Sequence, residues 1–339
     1  MTDMTDMTEI TPPSALPARL RALLAGLCLA PGLALSAGTG QIFVSNEKDD
    51  SLTLIRADTR QVTGTQTQCK RPRHLQLSPD RSRLYVACSD DDRIDVIDVA
   101  SRKTIDTLSV GEDPELFDLS PDGKSLYVSN EDDALLSAFD VASGKKLFEV
   151  KVGEEPEGVK ASADGKHVYV TSEVANMVHV IDVATRKLVK NIQVGNRPRR
   201  FALTPDGKEL WVSNELGASV SVIRTDHLTV AQTIEFAPKG LRIDNITPVG
   251  IIMSADGKRA YVGLGRANHV AVVDTASKRA TDYILVGKRA WGLGLTRDNR
   301  LLYVVNGLSD DVSVVDTASN KAIATIRVGR VPHSVVIDD

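Results

Sequence analysis

Aromatic residues are scarce, at 4% of the 339 residues. That excludes the rows of stacking rings a single-stranded nucleic acid needs. There is no basic excess either: 41 Lys and Arg stand against 45 Asp and Glu, a formal charge of −4. A duplex-binding footprint is therefore missing. Cysteine is limited to Cys28, Cys69 and Cys88. No C-x-x-C-H occurs, so that route to an attached haem is closed, and two cysteines beyond the N-terminal segment cannot complete a four-thiolate metal site. G-x-S-x-G, H-E-x-x-H and a phosphate loop are all absent. The six histidines show no ligand spacing. What remains is ordinary globular composition, 42% hydrophobic and 25% charged.

The N-terminus differs in composition from the rest. Arg19 and Arg21 precede an apolar stretch from Ala22 to Leu35, and small residues follow through Ser36 and Ala37. This is the order of a secretory signal. At about fourteen residues, interrupted by Pro31, the stretch is shorter than the roughly 18–20 a membrane span needs. Leu27 stands before Cys28 where a lipid-attachment motif wants a small residue. The sequence predicts a signal peptide over residues 1–36, cleavage near Ser36 or Ala37, and a folded domain over 37–339 with no membrane span. Export would permit a disulfide.

An internal repeat then sets the architecture. S-P-D-R-S-R-L-Y-V begins at Ser78, and related stretches begin at Ser120, Ser162, Thr204, Ser254 and Thr296, spaced by 42, 42, 42, 50 and 42 residues. A headless copy, Q-I-F-V-S-N-E, starts at Gln41. Each unit reads as four short strands joined by turns, which is the pattern of a β-propeller blade. Such a sheet cannot bury its apolar faces alone, whereas stacked blades can. The C-terminal unit supplies one strand from Pro332, and the N-terminal unit begins with the next. The expectation is an all-β, seven-bladed propeller of four-stranded antiparallel blades, its ring closed by the two chain ends sharing one blade.

The repeat also sorts the carboxylates. Asp80, Asp122, Asp164, Asp206, Asp256 and Asp298 fall in the first hairpin turn, and Asp98, Asp140, Asp182, Asp274 and Asp316 start the second. Aspartate there caps nearby backbone N–H groups, so these are discounted as catalytic. The other face carries the variable loops. Round the channel mouth the residue after each repeat proline, or after Ala290 in its place, gives Arg73, Glu115, Glu157, Arg199, Val249, Trp291 and His333. Near them come the glutamates in register with Glu131, namely Glu47, Glu173 and Glu215, and Arg71, His74, Asp113, Glu155, Arg197, Arg200 and Arg289 add to the same mouth. These side chains could form a self-balanced ring of Arg–Glu pairs or a surface for a ligand or partner. Arginines interleaved with glutamates argue against a Ca²⁺ site. Cys69 takes the place of the glycine in V-G-x-x-P and Cys88 that of the asparagine in Y-V-S-N, on one face of one blade; a disulfide between them is expected over metal binding.

At Tyr127-Val128-Ser129-Asn130 and its copies the chain resembles the YVTN-repeat β-propeller family. K-R-P-R at Lys70–Arg73, D-P-E-L-F at Asp113–Phe117, E-P-E-G at Glu155–Gly158, R-P-R at Arg197–Arg199, P-V-G-I at Pro248–Ile251 and the stretch Asn306–Asp316 narrow the resemblance to PQQ-dependent catabolism-associated β-propeller proteins. The resemblance spans essentially all of 37–339 and implies an exported, periplasmic protein of no established enzymatic activity, accompanying quinoprotein alcohol oxidation with pyrroloquinoline quinone and c-type cytochromes. The expectation is a non-catalytic monomer with no cofactor of its own that docks a quinoprotein dehydrogenase, a c-type cytochrome or a related factor. An enzymatic or small-molecule site at the channel mouth is the alternative, because related propellers host lactonases and dehydrogenase subunits.

Overall fold

A computed structural model describes residues 38–339; the N-terminal segment read as a signal lies outside them. The described chain forms seven four-stranded antiparallel sheets, each in simple up-and-down order. Blade 1 runs Pro72–Ser109, blade 2 Pro114–Lys151, blade 3 Pro156–Gln193, blade 4 Pro198–Glu235, blade 5 Ile251–Leu285 and blade 6 Ala290–Arg327. Blade 7 takes its innermost strand, Pro332–Asp338, from the C-terminus and the other three from Gln41–Thr67. Val44 pairs with Val335 across that closure, so the ring has no open seam for another strand to add to. Apart from two short 3₁₀ turns at Ser89–Asp91 and Ile243–Asn245, the described residues contain no helix.

Burial follows strand position. In blade 2 the innermost strand Pro114–Leu119 is buried throughout, whereas the outermost, Lys146–Lys151, is largely exposed. The seven ring-bearing residues in register, Phe43, Tyr85, Tyr127, Tyr169, Trp211, Tyr261 and Tyr303, are all buried. Each sits between two sheets, and the apolar core is correspondingly divided into seven clusters, one per pair of adjacent blades. Most of the few aromatic rings are thus spent on inter-blade packing.

The turn aspartates are fixed locally. Asp122 accepts from Ser120 Oγ at 2.7 Å and from the Lys124 N–H at 3.2 Å; Asp140 accepts from the Ser143 N–H at 2.8 Å and its hydroxyl at 2.6 Å. The same contacts recur at Asp164, Asp206, Asp182 and Asp274. Hydrogen bonds to the ionised form hold these carboxyls below their ordinary pKa.

Candidate functional site at the channel mouth

The site is built by one backbone device. Pro114 lies opposite Asn130 and Phe117 opposite Val128, so one extra residue is squeezed in after the proline. The same shift occurs after Pro72, Pro156, Pro198 and Ala290. This is a β-bulge, which re-aims side chains. The residue before it is left-handed in six connections: Arg71, Asp113, Glu155, Arg197, Arg289 and Val331 all have φ between 40° and 61°. The hydroxyl of the Y-V-S-N serine then grips the next blade, with Ser129 Oγ donating to the Glu157 carbonyl at 2.7 Å and Ser45 Oγ to that of Arg73 at 2.6 Å.

The bulges gather charged groups that are far apart in sequence. Arg73 pairs with Glu115, and Arg199 with Glu173, in the shortest contacts of the ring. Arg199 also reaches Glu157 at 3.3 Å and Glu215 at 3.7 Å. Arg197 lies 2.6 Å from Glu173 and 3.3 Å from Glu215, and Arg71 3.2 Å from Glu47 and 3.1 Å from Asp113. Arg73, Glu115, Glu157, Arg199, Glu173 and His333 are all buried. Burial alone would neutralise Glu157, but Arg199, Arg73 and Arg200 outweigh it and hold its pKa down to about 2. Glu173 is pushed by burial up to about 7 despite its arginines. Glu115 is raised by burial and by the nearby Glu157.

Glu131 differs from the glutamates in register with it. No basic group contacts it among the described residues; its neighbours are Asp113 and Glu115, whose carboxylate oxygens lie within 4.8 Å of its own and of each other. Burial raises the pKa of Asp113 and of Glu131. Arg71 and Arg73 already contact Asp113 and Glu115.

His333 sits at the centre of the arginines. Its Nε2 takes N–H groups from Arg73 at 3.3 Å and from Arg200 at 3.1 Å. Burial and those guanidinium charges hold the ring neutral, so its proton is assigned to Nδ1 by the hydrogen-bond network. Nδ1 is buried and has no partner among the described residues. Trp291 lies 6.2 Å from His333 and under the guanidinium of Arg289, 4.4 Å from the ring centre. His74 is one layer deeper than the other residues named from sequence. It lines the central channel with Arg200, stands edge-on to Phe117 at 4.9 Å, and is driven by burial down to about 3. The second residue of the bulge turns inward, which the repeat spacing alone does not reveal.

Cys69 and Cys88 are joined by a disulfide, with Cα atoms 5.5 Å apart. The equivalent pairs in other blades explain the position. A Cβ on Gly195 would lie 2.6 Å from Asn214, and one on Gly329 2.5 Å from Asn46. The V-G-x-x-P glycine therefore packs directly on the Y-V-S-N asparagine, and blade 1 replaces that contact with a covalent bond. The repeat places Arg289 at the mouth, where the structure has it; its lack of a carboxylate partner is not visible in the sequence.

A cavity of about 310 Å³ opens at the mouth between Trp291, His333, Arg289, Arg199, Arg73 and Leu308. The central channel holds a second of about 350 Å³. Both are at the small end for ligand sites, which span about 300–1,000 Å³.

The family model of the cytochrome D1 heme domain matches residues 156–338. No curated protein matches the chain. Among solved structures it is similar to the hydrazine synthase of Kuenenia stuttgartiensis, at 23% identity over 84% of this chain and 94% of that one, TM-score 0.74. It is similar to the periplasmic gluconolactonase of Pseudomonas aeruginosa, at 21% over 87% and 98%, TM-score 0.75. It is also similar to the dihydro-heme d1 dehydrogenase NirN, at 16% over 87% and 74%, TM-score 0.66. At these identities the likeness is one of fold. The residues present do not fit the tetrapyrrole in the family's name. The buried mouth histidine His333 has its Nε2 committed to two guanidinium groups, and the cavity beside it, bordered by the ion-paired Arg73 and Arg199, is only about 310 Å³. More than half of the 339 residues nonetheless fall within that model, and the chain belongs to the cytochrome D1 heme domain family.

Proposed function

We propose that the protein is an exported, periplasmic, non-catalytic propeller that docks a partner protein on its mouth face, in the setting of PQQ-dependent alcohol catabolism. The observation that carries the docking reading is a set of exposed apolar side chains at one repeat position. Val174, Leu216 and Leu308, each directly after the position of Glu131, are 53%, 57% and 61% exposed. They rim a face on which Arg71, Arg73, Arg197 and Arg199 are paired with carboxylates. Apolar anchors within a polar rim are how protein interfaces are built. The resemblance supports a quinoprotein dehydrogenase or a c-type cytochrome as the partner. Affinity capture from cells growing on an alcohol is the test. A quinoprotein or cytochrome retained by the native chain and lost with Leu216→Asp supports the reading; equal recovery with both sinks it.

The mouth cavity favours a second reading, a small-molecule site of lactonase-like type. Hydrolysis of a sugar lactone by the purified chain, abolished by His333→Ala, would establish it in place of the first.

A further inference from the structure

Arg71 and Arg197 precede the repeat proline in their connections, and each contacts a glutamate in register with Glu131. Arg71 has Glu47 at 3.2 Å, and Arg197 has Glu173 at 2.6 Å and Glu215 at 3.3 Å. Arg289 occupies the same place between blades 5 and 6. The two positions where its glutamates would stand are Gly265 and Gly307. Among the described residues no carboxylate contacts Arg289, and its guanidinium makes no hydrogen bond; it lies over the ring of Trp291.

The two glycines have different causes. Gly265 has φ +47° and a Cβ there would sit 2.1 Å from Thr247, so the backbone demands it. Gly307 carries no such demand. A Cβ on it would meet nothing closer than 3.7 Å. A side chain fits there, and its absence leaves the 310 Å³ cavity open beside Arg289.

The cavity's chemistry is one-sided. Arg289, Arg73 and Arg199 border it, and Glu47 is the single carboxylate among its lining residues. Trp291 and His333 border it too, and among the described residues their Nε1 and Nδ1 are buried without a partner. Each of these nitrogens carries a proton, so two lining residues hold unused donors. A buried donor without an acceptor is destabilising, and a guanidinium held against an indole face is placed to grip a carboxylate in a fork. The remaining wall is apolar, from Leu308, Val331 and Pro332.

We propose that this cavity binds a small organic carboxylate, which takes the place of the glutamate the repeat omits at Gly307. The charged end sits at Arg289 with the ring N–H groups in reach, and a short apolar portion lies against Leu308, Val331 and Pro332. The inference shares with the second reading above only the placing of a small molecule at the mouth. It needs no turnover, so a chain without lactonase activity leaves it standing.

The test is equilibrium binding, read by Trp291 fluorescence and calorimetry, with butyrate, benzoate and succinate as probes. Butyramide, benzamide and inorganic phosphate serve as comparators. At least one carboxylate should saturate, with its neutral amide at least tenfold weaker and phosphate weaker than the carboxylate. Gly307→Glu should abolish binding by supplying the missing carboxylate, and should fold, since the site has room for it. Arg289→Gln should weaken binding at least tenfold. The inference is overturned if no carboxylate saturates, if benzamide binds as well as benzoate, if phosphate outcompetes every carboxylate, or if folded Gly307→Glu binds as the native chain does. Should Gly307→Glu fail to fold, Arg289→Gln decides alone, and undiminished affinity in it refutes the assignment.

Discussion

The two faces of the ring use the same residue types for opposite ends. On the turn face the repeat aspartates are satisfied within three residues of themselves, as Asp122 is by Ser120 and Lys124. On the mouth face a carboxylate finds its partner one or more blades away, as Glu115 finds Arg73 and Glu157 finds Arg199. A local contact stabilises its own turn; a contact across blades holds the ring together and removes charge from water. The difference also decides where change is tolerated. A turn can lose its aspartate and keep its neighbours intact, whereas the paired ions of the mouth cannot be lost singly without stranding another.

The sharpest break of that contrast is a pair of substitutions. Arg199→Ala would leave Glu157 and Glu173 buried without their main cation, and removing one partner of a buried pair typically costs about 3–5 kcal/mol. Asp122→Ala on the turn face removes exposed hydrogen bonds and should cost about 1 kcal/mol. Urea unfolding of both variants at pH 7 checks this. Equal losses would mean that the mouth network contributes no more than a turn.

The disulfide tests how blades are tied at the mouth. Cys88→Ser opens a 19-residue separation and should cost about 2–4 kcal/mol. The double variant Cys69→Gly with Cys88→Asn installs the pair that blades 4 and 7 use at Gly195 with Asn214 and Gly329 with Asn46. It should recover part of the loss, measured as a Tm above that of Cys88→Ser under oxidising conditions. If it is no more stable than the single variant, the glycine–asparagine contact is not the equivalent of the bond.

The propeller itself was legible because its period is written in the chain. Asp122 and its copies mark turns, Tyr127 and its copies mark inter-blade packing, and Pro332 followed by Gln41 marks the closure. The composition of the mouth was legible too, since one position per repeat supplies Arg73, Glu115, Glu157, Arg199, Trp291 and His333. Two things were not. His74 went deeper because the bulge after Pro72 adds a residue that period counting does not see. Arg289 was placed at the mouth with the other charges, but its missing partner is visible only once Gly265 and Gly307 are known to flank it in space. Pairing across blades is a property of geometry, and the repeat names the positions without saying which of them touch.

Glu131 offers the finest test of the two-face contrast, since it lies on the mouth face yet has no cation. Burial raises its pKa and that of Glu115 beside it, so the folded state holds protons more tightly than the unfolded one. The stability this provides is present below the unfolded carboxyl range near pH 4.5 and is lost as pH rises through the higher folded value. The turn aspartates act in reverse: their lowered pKa values contribute stability above the unfolded value of 3.8, lost on further acidification. The native chain should therefore be most stable in mildly acid solution and decline toward pH 8. Glu131→Gln removes one uncompensated charge while keeping the shape. It should raise stability at pH 8 by a few tenths to about 1 kcal/mol, the scale of exposed or half-exposed charge pairs, and the gain should vanish near pH 4. A gain that is the same at both pH values would show that Glu131 is protonated throughout. A loss at pH 8 would show that its charge is used, by Arg71 and Arg73 at longer range or by a cation held among the three carboxylates.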